Sequence, residues 1–202
     1  MDILKKQYLD LYKKFTSDFK LKEPLFYNNV NSLRFELYDK AGGNKKKVLD
    51  FLDSIFDYVL KSDTVFILCR SMLPVKHKAD KLQKYVNGNL CKFYEKTAYF
   101  NSPDPDFIES GDEVLTLYII DKSNICLNRF LKSLCSQSKD LNEVFLLIDL
   151  DNYAALHVYD DRGMDVIAGD LKFLKNLYEK YNYWIIEHNR QDIEKKLGLS
   201  NT

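Results

Sequence analysis

The chain has 202 residues, of which 46% are hydrophobic and 30% charged, and its 30 basic and 30 acidic residues cancel. This composition is typical of a folded soluble protein and excludes disordered and membrane-spanning chains, because the longest uncharged apolar runs are far shorter than the roughly 20 residues of a membrane helix. Because the chain suffices for one sizeable core and contains no linker rich in Pro, Gly or Ser, we expect a single domain over residues 1–202.

The charges are distributed unevenly along the chain. Residues 1–100 contain 19 Lys and Arg against 12 Asp and Glu, whereas residues 101–202 contain 11 against 18. The neutral total is not the basic balance that nucleic-acid binding usually requires, so a nucleic-acid partner is not expected. The acidic second half instead favours steering of a basic protein partner, since opposite potentials accelerate encounter.

The cysteines and the N-terminus indicate the compartment. The four cysteines form no C-x-x-C pair, which favours reduced, buried thiols over disulfides or a zinc site. The first residues lack the apolar core of a signal peptide, so we expect a cytoplasmic protein without a membrane anchor. Neither a P-loop nor a dinucleotide-binding glycine motif occurs, and we expect no cofactor.

The first half of the chain predicts helices and strands in alternation. Residues 2–19 carry large apolar side chains at spacings of three and four, which indicates an amphipathic helix. Residues 33–37 alternate as a strand with one buried face, residues 48–60 form a helix, and residues 64–69 form a strand apolar on both faces, hence interior to its sheet. The β-α-β order allows a parallel pair or an antiparallel arrangement with an intervening strand.

The second half predicts more strands than helices. A polar helix, a strand, an exposed loop, a strand and a helix are expected over residues 77–87, 90–99, 101–106, 114–120 and 123–136. Three strands follow over residues 144–148, 153–159 and 164–168, and Asp170 and Asn189 can cap two last helices. The predicted fold class is α+β: a mainly antiparallel sheet that includes this C-terminal three-stranded meander, with helices packed on it.

The corner between the last two predicted strands is acidic and contains a glycine. Asp160 can accept hydrogen bonds from backbone amides two or three residues further on, and Arg162 can pair with one of the neighbouring acids. Gly163 can take the positive φ that closes a three- or four-residue hairpin loop. The corner thus has a structural explanation that requires no catalysis.

Two stretches carry a resemblance to a known family. The sequences YDDRGMDVIA at residues 159–168 and LYEKYNYWI at residues 177–185, with the strand at residues 33–37, resemble an uncharacterised bacterial domain of unknown function common in Gram-positive genomes. The resemblance is close over the C-terminal third, looser over residues 31–70, and without a motif over residues 71–125. It implies no established activity, cofactor or site; the family's occurrence as small stand-alone cytoplasmic proteins is compatible with toxin immunity.

The acids around the corner allow a catalytic hypothesis as well. Clustered carboxylates suit a hard divalent cation, so Asp160, Asp161 and Asp165 could serve a metal-dependent hydrolase or nuclease with His157 as general base. The spacing argues against it, because Asp165 shares a strand face with Gly163, away from the two turn residues. We therefore expect no metal site, and His157 is interpreted as a structural histidine.

The sequence favours a non-catalytic cytoplasmic protein-binding protein, in its most specific form an immunity protein that neutralises a bacterial toxin. The expected partner is a basic protein such as a toxin domain, and the oligomeric state is left open. The partner-binding residues are expected to be Asp149, Asp151, Asp160, Asp161, Arg162 and Asp165. The alternatives are the metal-dependent hydrolase or nuclease and a regulatory domain that binds a small ligand.

Overall fold

The computed structural model describes residues 3–72, 82–88, 90–100, 111–135, 144–160 and 162–199. The helices are α1 (Ile3–Asp18), α2 (Leu25–Asn28), α3 (Lys45–Val59), α4 (Leu127–Cys135), α5 (Leu171–Lys180) and α6 (Arg190–Leu197). The strands are β1 (Ser32–Glu36), β2 (Thr64–Met72), β3 (Cys91–Phe100), β4 (Gly111–Asp121), β5 (Val144–Asp149), β6 (Ala154–Val158) and β7 (Gly163–Ala168).

The strands form one seven-stranded sheet in the order β1-β7-β6-β5-β2-β4-β3, and every neighbouring pair is antiparallel. The α+β class and the C-terminal meander β5-β6-β7 are therefore confirmed. β2 is interior, as its apolar sequence predicts. β1 and β2 run in the same direction but are not neighbours, because the whole meander lies between them. Of the two arrangements that the β-α-β order allows, the structure therefore has the antiparallel one, with the three strands of the meander between β1 and β2.

Both faces of the sheet are covered by helices, so the apolar side chains form two clusters. On the first face, Leu156 and Val166 pack with residues of α3 to α6. On the second face, Ala155 and Ile167 pack with Phe15 of α1 and with residues around it. Alternation along each strand sends successive side chains to opposite faces, so a polar residue within β6 or β7 is buried whichever way it points.

Three local expectations have different outcomes. Asp170 caps α5 by accepting a hydrogen bond from the Lys172 amide, as expected (2.8 Å). Asn189 precedes α6 but its side chain makes no capping hydrogen bond, so that expectation is wrong. Gly163 has no positive φ and lies within β7, so the left-handed conformation predicted for it is also wrong. The loop expected at residues 101–106 lies outside the described residues.

Candidate functional site

Three polar side chains lie opposite one another on the second face of the sheet. Arg34 of β1 pairs in register with Asp165 of β7, and Asp165 pairs with His157 of β6. Asp165 and His157 are buried, with exposed fractions of 0% and 5%. A carboxylate without access to water requires a cation and hydrogen-bond donors, and β1 and the residues around it supply them.

The Asp165 carboxylate is held by three neighbours. The Arg34 guanidinium donates to both of its oxygens, from Nε to Oδ1 at 2.8 Å and from Nη2 to Oδ2 at 3.0 Å. The Tyr159 hydroxyl donates to Oδ1 at 2.7 Å, and the Phe26 backbone amide donates to Oδ2 at 3.0 Å. These bonds join α2, β1 and the end of β6 at one carboxylate, so Asp165 is a structural anchor for this end of the sheet.

Aromatic rings surround the guanidinium of Arg34. Its Cζ lies 4.6 Å from the centroid of the Tyr27 ring, 5.3 Å from that of Phe26 and 5.6 Å from that of Tyr159. Burial disfavours the charged form, but the hydrogen bonds and the charge of Asp165 outweigh it and raise the pKa of Arg34. The arginine is therefore a permanent cation between a carboxylate and three rings.

The Tyr159 ring lies over Gly163. A Cβ atom placed on Gly163 would be 2.7 Å from Cε2 of Tyr159 and 3.0 Å from the Phe35 carbonyl oxygen. The absence of a side chain at Gly163 thus lets the ring cross β7, so that its hydroxyl reaches Asp165. Burial and the nearby Asp165 charge raise the pKa of Tyr159 above its ordinary value, which keeps the hydroxyl a proton donor.

His157 lies beside this cluster as a neutral side chain. Its ring packs edge-on against Tyr159, with centroids 5.3 Å apart, and its Nδ1 has no hydrogen-bond partner among the described residues. Burial lowers the pKa of His157 to about 4, although the Asp165 charge opposes that shift. The imidazole is therefore neutral at physiological pH.

A half-open groove of about 530 Å³ begins at this cluster and opens to solvent. Arg34 and Tyr159 line its inner part, the loop after β1 contributes Tyr38 and Asp39, and Arg162 stands at the hairpin corner. The other lining residues are Phe35, Glu36, Gly163 and Ile186. The volume is in the range of ligand and side-chain pockets.

Backbone contacts hold the walls of the groove in place. The amide of Leu37 donates to the Arg162 carbonyl at 2.8 Å, which joins the end of β1 to the hairpin corner. The Tyr183 hydroxyl donates to the Lys40 carbonyl at 2.7 Å and fixes the loop after β1. The Ile186 amide donates to the Arg34 carbonyl at 3.3 Å along the outer edge of β1. Both walls are therefore fixed to β1.

The two arginines of the groove are already neutralised. Asp165 holds Arg34, and Asp160 holds Arg162 through Nε at 2.8 Å and Nη2 at 2.7 Å. The carboxylates of Glu36 and Asp39 also line the groove, and within the described ranges neither makes an ion pair or a side-chain hydrogen bond. The groove consequently presents two negative charges that no cation in the described part of the chain compensates, beside exposed tyrosine rings.

The expected acidic surface is divided by the fold. Asp149 is fully buried and accepts hydrogen bonds from the Ser62 amide and hydroxyl and from the Asn152 amide and side chain. Asp165 is also fully buried, so neither of these two acids can contact a partner, and the prediction that they bind one is wrong. Their carboxylates accept hydrogen bonds that hold turns and strands together, and they do not face water.

The other four predicted residues have different places. Asp151 is exposed, but it lies at the β5–β6 turn, one strand length or roughly 16 Å from the corner that holds Asp160. Asp160 accepts from the Arg162 amide at 2.8 Å and braces the corner, as predicted, while the Arg162 side chain stays 79% exposed. Asp161 lies outside the described residues.

Several groove residues were not among those predicted, namely Arg34, Glu36, Tyr38, Asp39 and Tyr159. A signal for one of them was present: a carboxylate in the apolar run around Asp165 requires a buried cation, and Arg34 is a basic residue in a predicted strand. What the sequence did not supply was the pairing of β1 with β7, which brings the two together.

Two further findings concern metals and membranes. Among the residues that the structure describes, no three His, Cys, Asp or Glu side chains are grouped closely enough to hold a metal ion. No helix in the described ranges is both long enough and apolar enough to cross a membrane.

Three cysteines with described side chains form no disulfide; Cys69 is buried as expected, whereas Cys126 is half-buried and Cys91 is exposed.

Comparison with known proteins identifies the family. A family profile described as "Domain of unknown function (DUF3885)" matches residues 8–189. The chain belongs to the DUF3885 family. It is also similar to a Bacillus subtilis (strain 168) protein described as "Uncharacterized protein YnaE", with 41% identity over 51 residues. That similarity spans 25% of this chain and 24% of the Bacillus protein. No solved structure matches the chain.

Membership of the DUF3885 family confirms the resemblance seen in the sequence. The matched region runs from α1 to the residues just before α6, and so includes both walls of the groove. The family description carries no activity, so the function must be argued from the geometry of this chain.

Proposed function

We propose that this protein is a non-catalytic, cytoplasmic protein-binding protein, and that its binding surface is the groove between the loop after β1 and the β6–β7 corner. The observation that carries the proposal is a half-open groove with walls joined by hydrogen bonds, in which exposed tyrosines and an exposed arginine surround two carboxylates that form no ion pair with any described residue. Tyr and Arg are the side chains that most often contribute large binding energies at protein interfaces.

The partner that suits this surface is a basic protein. Glu36 and Asp39 leave the groove with an excess of negative charge, which favours encounter with a positive surface and disfavours an acidic one. A toxin with a basic active-site face is the specific partner that we propose, so that the protein would act as an immunity protein by covering that face.

The arrangement of the acids supports binding rather than hydrolysis. A metal-dependent hydrolase at this hairpin would use Asp160 and Asp165 as metal ligands. Both oxygens of Asp165 already accept hydrogen bonds, and Asp160 is paired with Arg162. Metal binding there would have to break the contacts that join β1, β6 and β7, whereas partner binding in the groove leaves them intact.

The proposal is tested by affinity capture with the full chain as bait in an extract of the source organism. We expect a basic protein to be retained by the wild type and lost by the double variant Tyr38→Ala/Arg162→Ala. The matched control is Leu171→Ala/Lys172→Ala, which removes one exposed apolar and one exposed basic side chain from α5 on the first face. Equal capture by all three proteins would contradict the groove as the binding surface.

Binding kinetics separate the predicted acids at the two ends of β6. Once the partner is known, Asp160→Asn should slow its association and weaken the dependence of the association rate on salt, because Asp160 neutralises Arg162, which lines the groove, and its loss makes the groove less negative. Asp151→Asn should leave both quantities unchanged, since Asp151 is at the far turn. The opposite pattern would move the binding surface to the β5–β6 end of the sheet.

A further inference from the structure

We infer that the groove binds one arginine side chain of the partner, held by Glu36 and Asp39 and stacked against the rings of Tyr38 and Tyr159. The inference deepens the proposed function and rests on it. It concerns the chemistry of the group that enters the groove, which neither the charge excess nor the family membership specifies.

The first argument is electrostatic. A cation in the groove would meet two carboxylates that no described cation neutralises, and Glu36 lies opposite Gly163, the residue over which the Tyr159 ring passes. The guanidiniums of Arg34 and Arg162 do not compete for these carboxylates, because each is fixed to its own aspartate. The two carboxylates repel an anionic side chain, and a neutral side chain forms no ion pair with them.

The second argument is the shape and character of the walls. Tyr38 is 42% exposed and Tyr159 is 36% exposed, so both rings present apolar surface to the groove. A guanidinium is planar and weakly hydrated, and it combines stacking on an aromatic face with two parallel hydrogen bonds to a carboxylate. An ammonium group makes neither the stacked contact nor the two-pronged bond as well, so arginine is favoured over lysine.

The third argument is that the same combination already binds an arginine in this chain. Arg34 is held by two bonds to Asp165 and is covered by the rings of Tyr27 and Tyr159. Tyr159 belongs to both places, since its ring borders Arg34 as well as the groove. The incoming arginine would thus add a second guanidinium, with its own pair of carboxylates, on the solvent side of the first.

The experiment uses three short peptides as probes: acetyl-Gly-Arg-Gly-amide, the corresponding lysine peptide, and the citrulline peptide, which has the arginine shape without its charge. Amide chemical shifts of the full-length protein are followed by NMR during each titration. We expect the arginine peptide to shift the amides of the loop after β1 and of the hairpin corner, with weaker effects from lysine and none from citrulline.

The variants locate the binding chemistry. Glu36→Gln/Asp39→Asn should weaken binding of the arginine peptide by about tenfold or more, since two charge-assisted contacts are lost. Asp53→Asn/Glu179→Gln removes two exposed acids from α3 and α5 and should leave binding unchanged. Tyr38→Phe should bind as the wild type does and Tyr38→Ala more weakly, because the ring stacks and the hydroxyl does not take part.

Several results would overturn the inference. Equal shifts from citrulline would remove the role of charge, and equal or stronger binding of the lysine peptide would remove the preference for a guanidinium. If the captured partner is lost by Tyr38→Ala/Arg162→Ala but retained by Glu36→Gln/Asp39→Asn, the inference is wrong while the proposed function stands. If both variants retain the partner, the proposed function itself fails.

Discussion

Two arginine–aspartate pairs lie at the same hairpin and have nearly the same geometry. Arg34 donates to Asp165 through Nε at 2.8 Å, and Arg162 donates to Asp160 through Nε at the same distance. Their surroundings differ: the side chains of the first pair are 13% and 0% exposed, whereas those of the second are 79% and 12% exposed. The same kind of ion pair therefore contributes differently at the two places, because burial determines how much the free energy of unfolding falls when one partner is removed.

The buried pair fixes the fold and the exposed pair fixes a turn. Removal of one charge from the Arg34–Asp165 pair leaves the other buried without compensation, which water cannot relieve. In the Arg162–Asp160 pair, the Arg162 side chain is 79% exposed, so water can hydrate this cation when the Asp160 charge is removed, and we expect a smaller contribution to stability. Comparison of the two pairs therefore measures how strongly burial of the arginine determines the cost of losing the charge of its aspartate.

The largest effect is expected for Asp165→Asn. The amide would turn donors toward the Arg34 guanidinium and leave that charge buried, so we expect the free energy of unfolding to fall by about 3–5 kcal/mol. Urea denaturation followed by circular dichroism measures the loss. In the double variant Arg34→Met/Asp165→Leu neither charge remains, and much of the lost stability should return. A loss below about 1 kcal/mol for the single variant would show that the buried pair is dispensable.

The fold was largely predictable because its strands follow simple patterns. Alternation at residues 33–37 and the apolar run around Phe66 correspond to β1 and β2, and the meander was recognised with its boundaries nearly correct. The strand order was not predictable, since the insertion of the meander between β1 and β2 depends on long-range pairing. The negative φ of Gly163 could not be predicted for a related reason. A glycine is required there because the Tyr159 ring leaves no room for a side chain, and this is a tertiary contact rather than a property of the turn.

The site was less predictable than the fold. In the sequence, Asp149 and Asp165 are grouped with Asp160 because all three lie near the corner. In the structure, Asp149 and Asp165 are fully buried and hold turns and strands together. Sequence spacing does not distinguish an aspartate that faces water from one that accepts hydrogen bonds inside a sheet covered on both faces. Glu36 and Asp39 were overlooked because they belong to the other end of the chain and meet the corner only through the pairing of β1 with β7.

The next largest effect is expected in the pH dependence of the free energy of unfolding, and it comes from His157 beside the buried pair. Burial lowers the pKa of His157 to about 4 from its ordinary 6.5, so the unfolded chain binds a proton at higher pH than the folded one. Stability from this group is complete above about pH 6.5 and falls by about 3 kcal/mol as the pH drops toward 4. His157→Gln should flatten this part of the pH profile.

The control for that measurement is an exposed histidine. His188→Gln should retain the loss of stability between pH 6.5 and 4, because it replaces an exposed side chain and leaves the buried His157 in place. The difference between the two profiles isolates His157 from the carboxylates that titrate in the same range. Parallel profiles for both variants would mean that the His157 ring reaches water.

A smaller effect is expected for the glycine that lies between the two pairs. Gly163→Ala places a Cβ atom against the Tyr159 ring and the Phe35 carbonyl, so we expect a loss of about 1–3 kcal/mol in the free energy of unfolding. In a Tyr159→Ala background the same substitution should cost less, because the ring is gone. An equal cost in both backgrounds would place the strain in the backbone of β7 instead.

The smallest effect is expected for Asp160→Asn at the exposed pair. Asparagine can still accept the hydrogen bond from the Arg162 amide, so the turn is retained and only the ion pair is lost. We expect the free energy of unfolding to change by about 0.5 kcal/mol, and by less at high salt, since the partner charge is exposed to screening. Urea denaturation at low and high salt measures both quantities. A loss similar to that of Asp165→Asn would mean that the corner is as much a part of the core as the strand beside it, and that the two pairs do not differ in their contribution to stability.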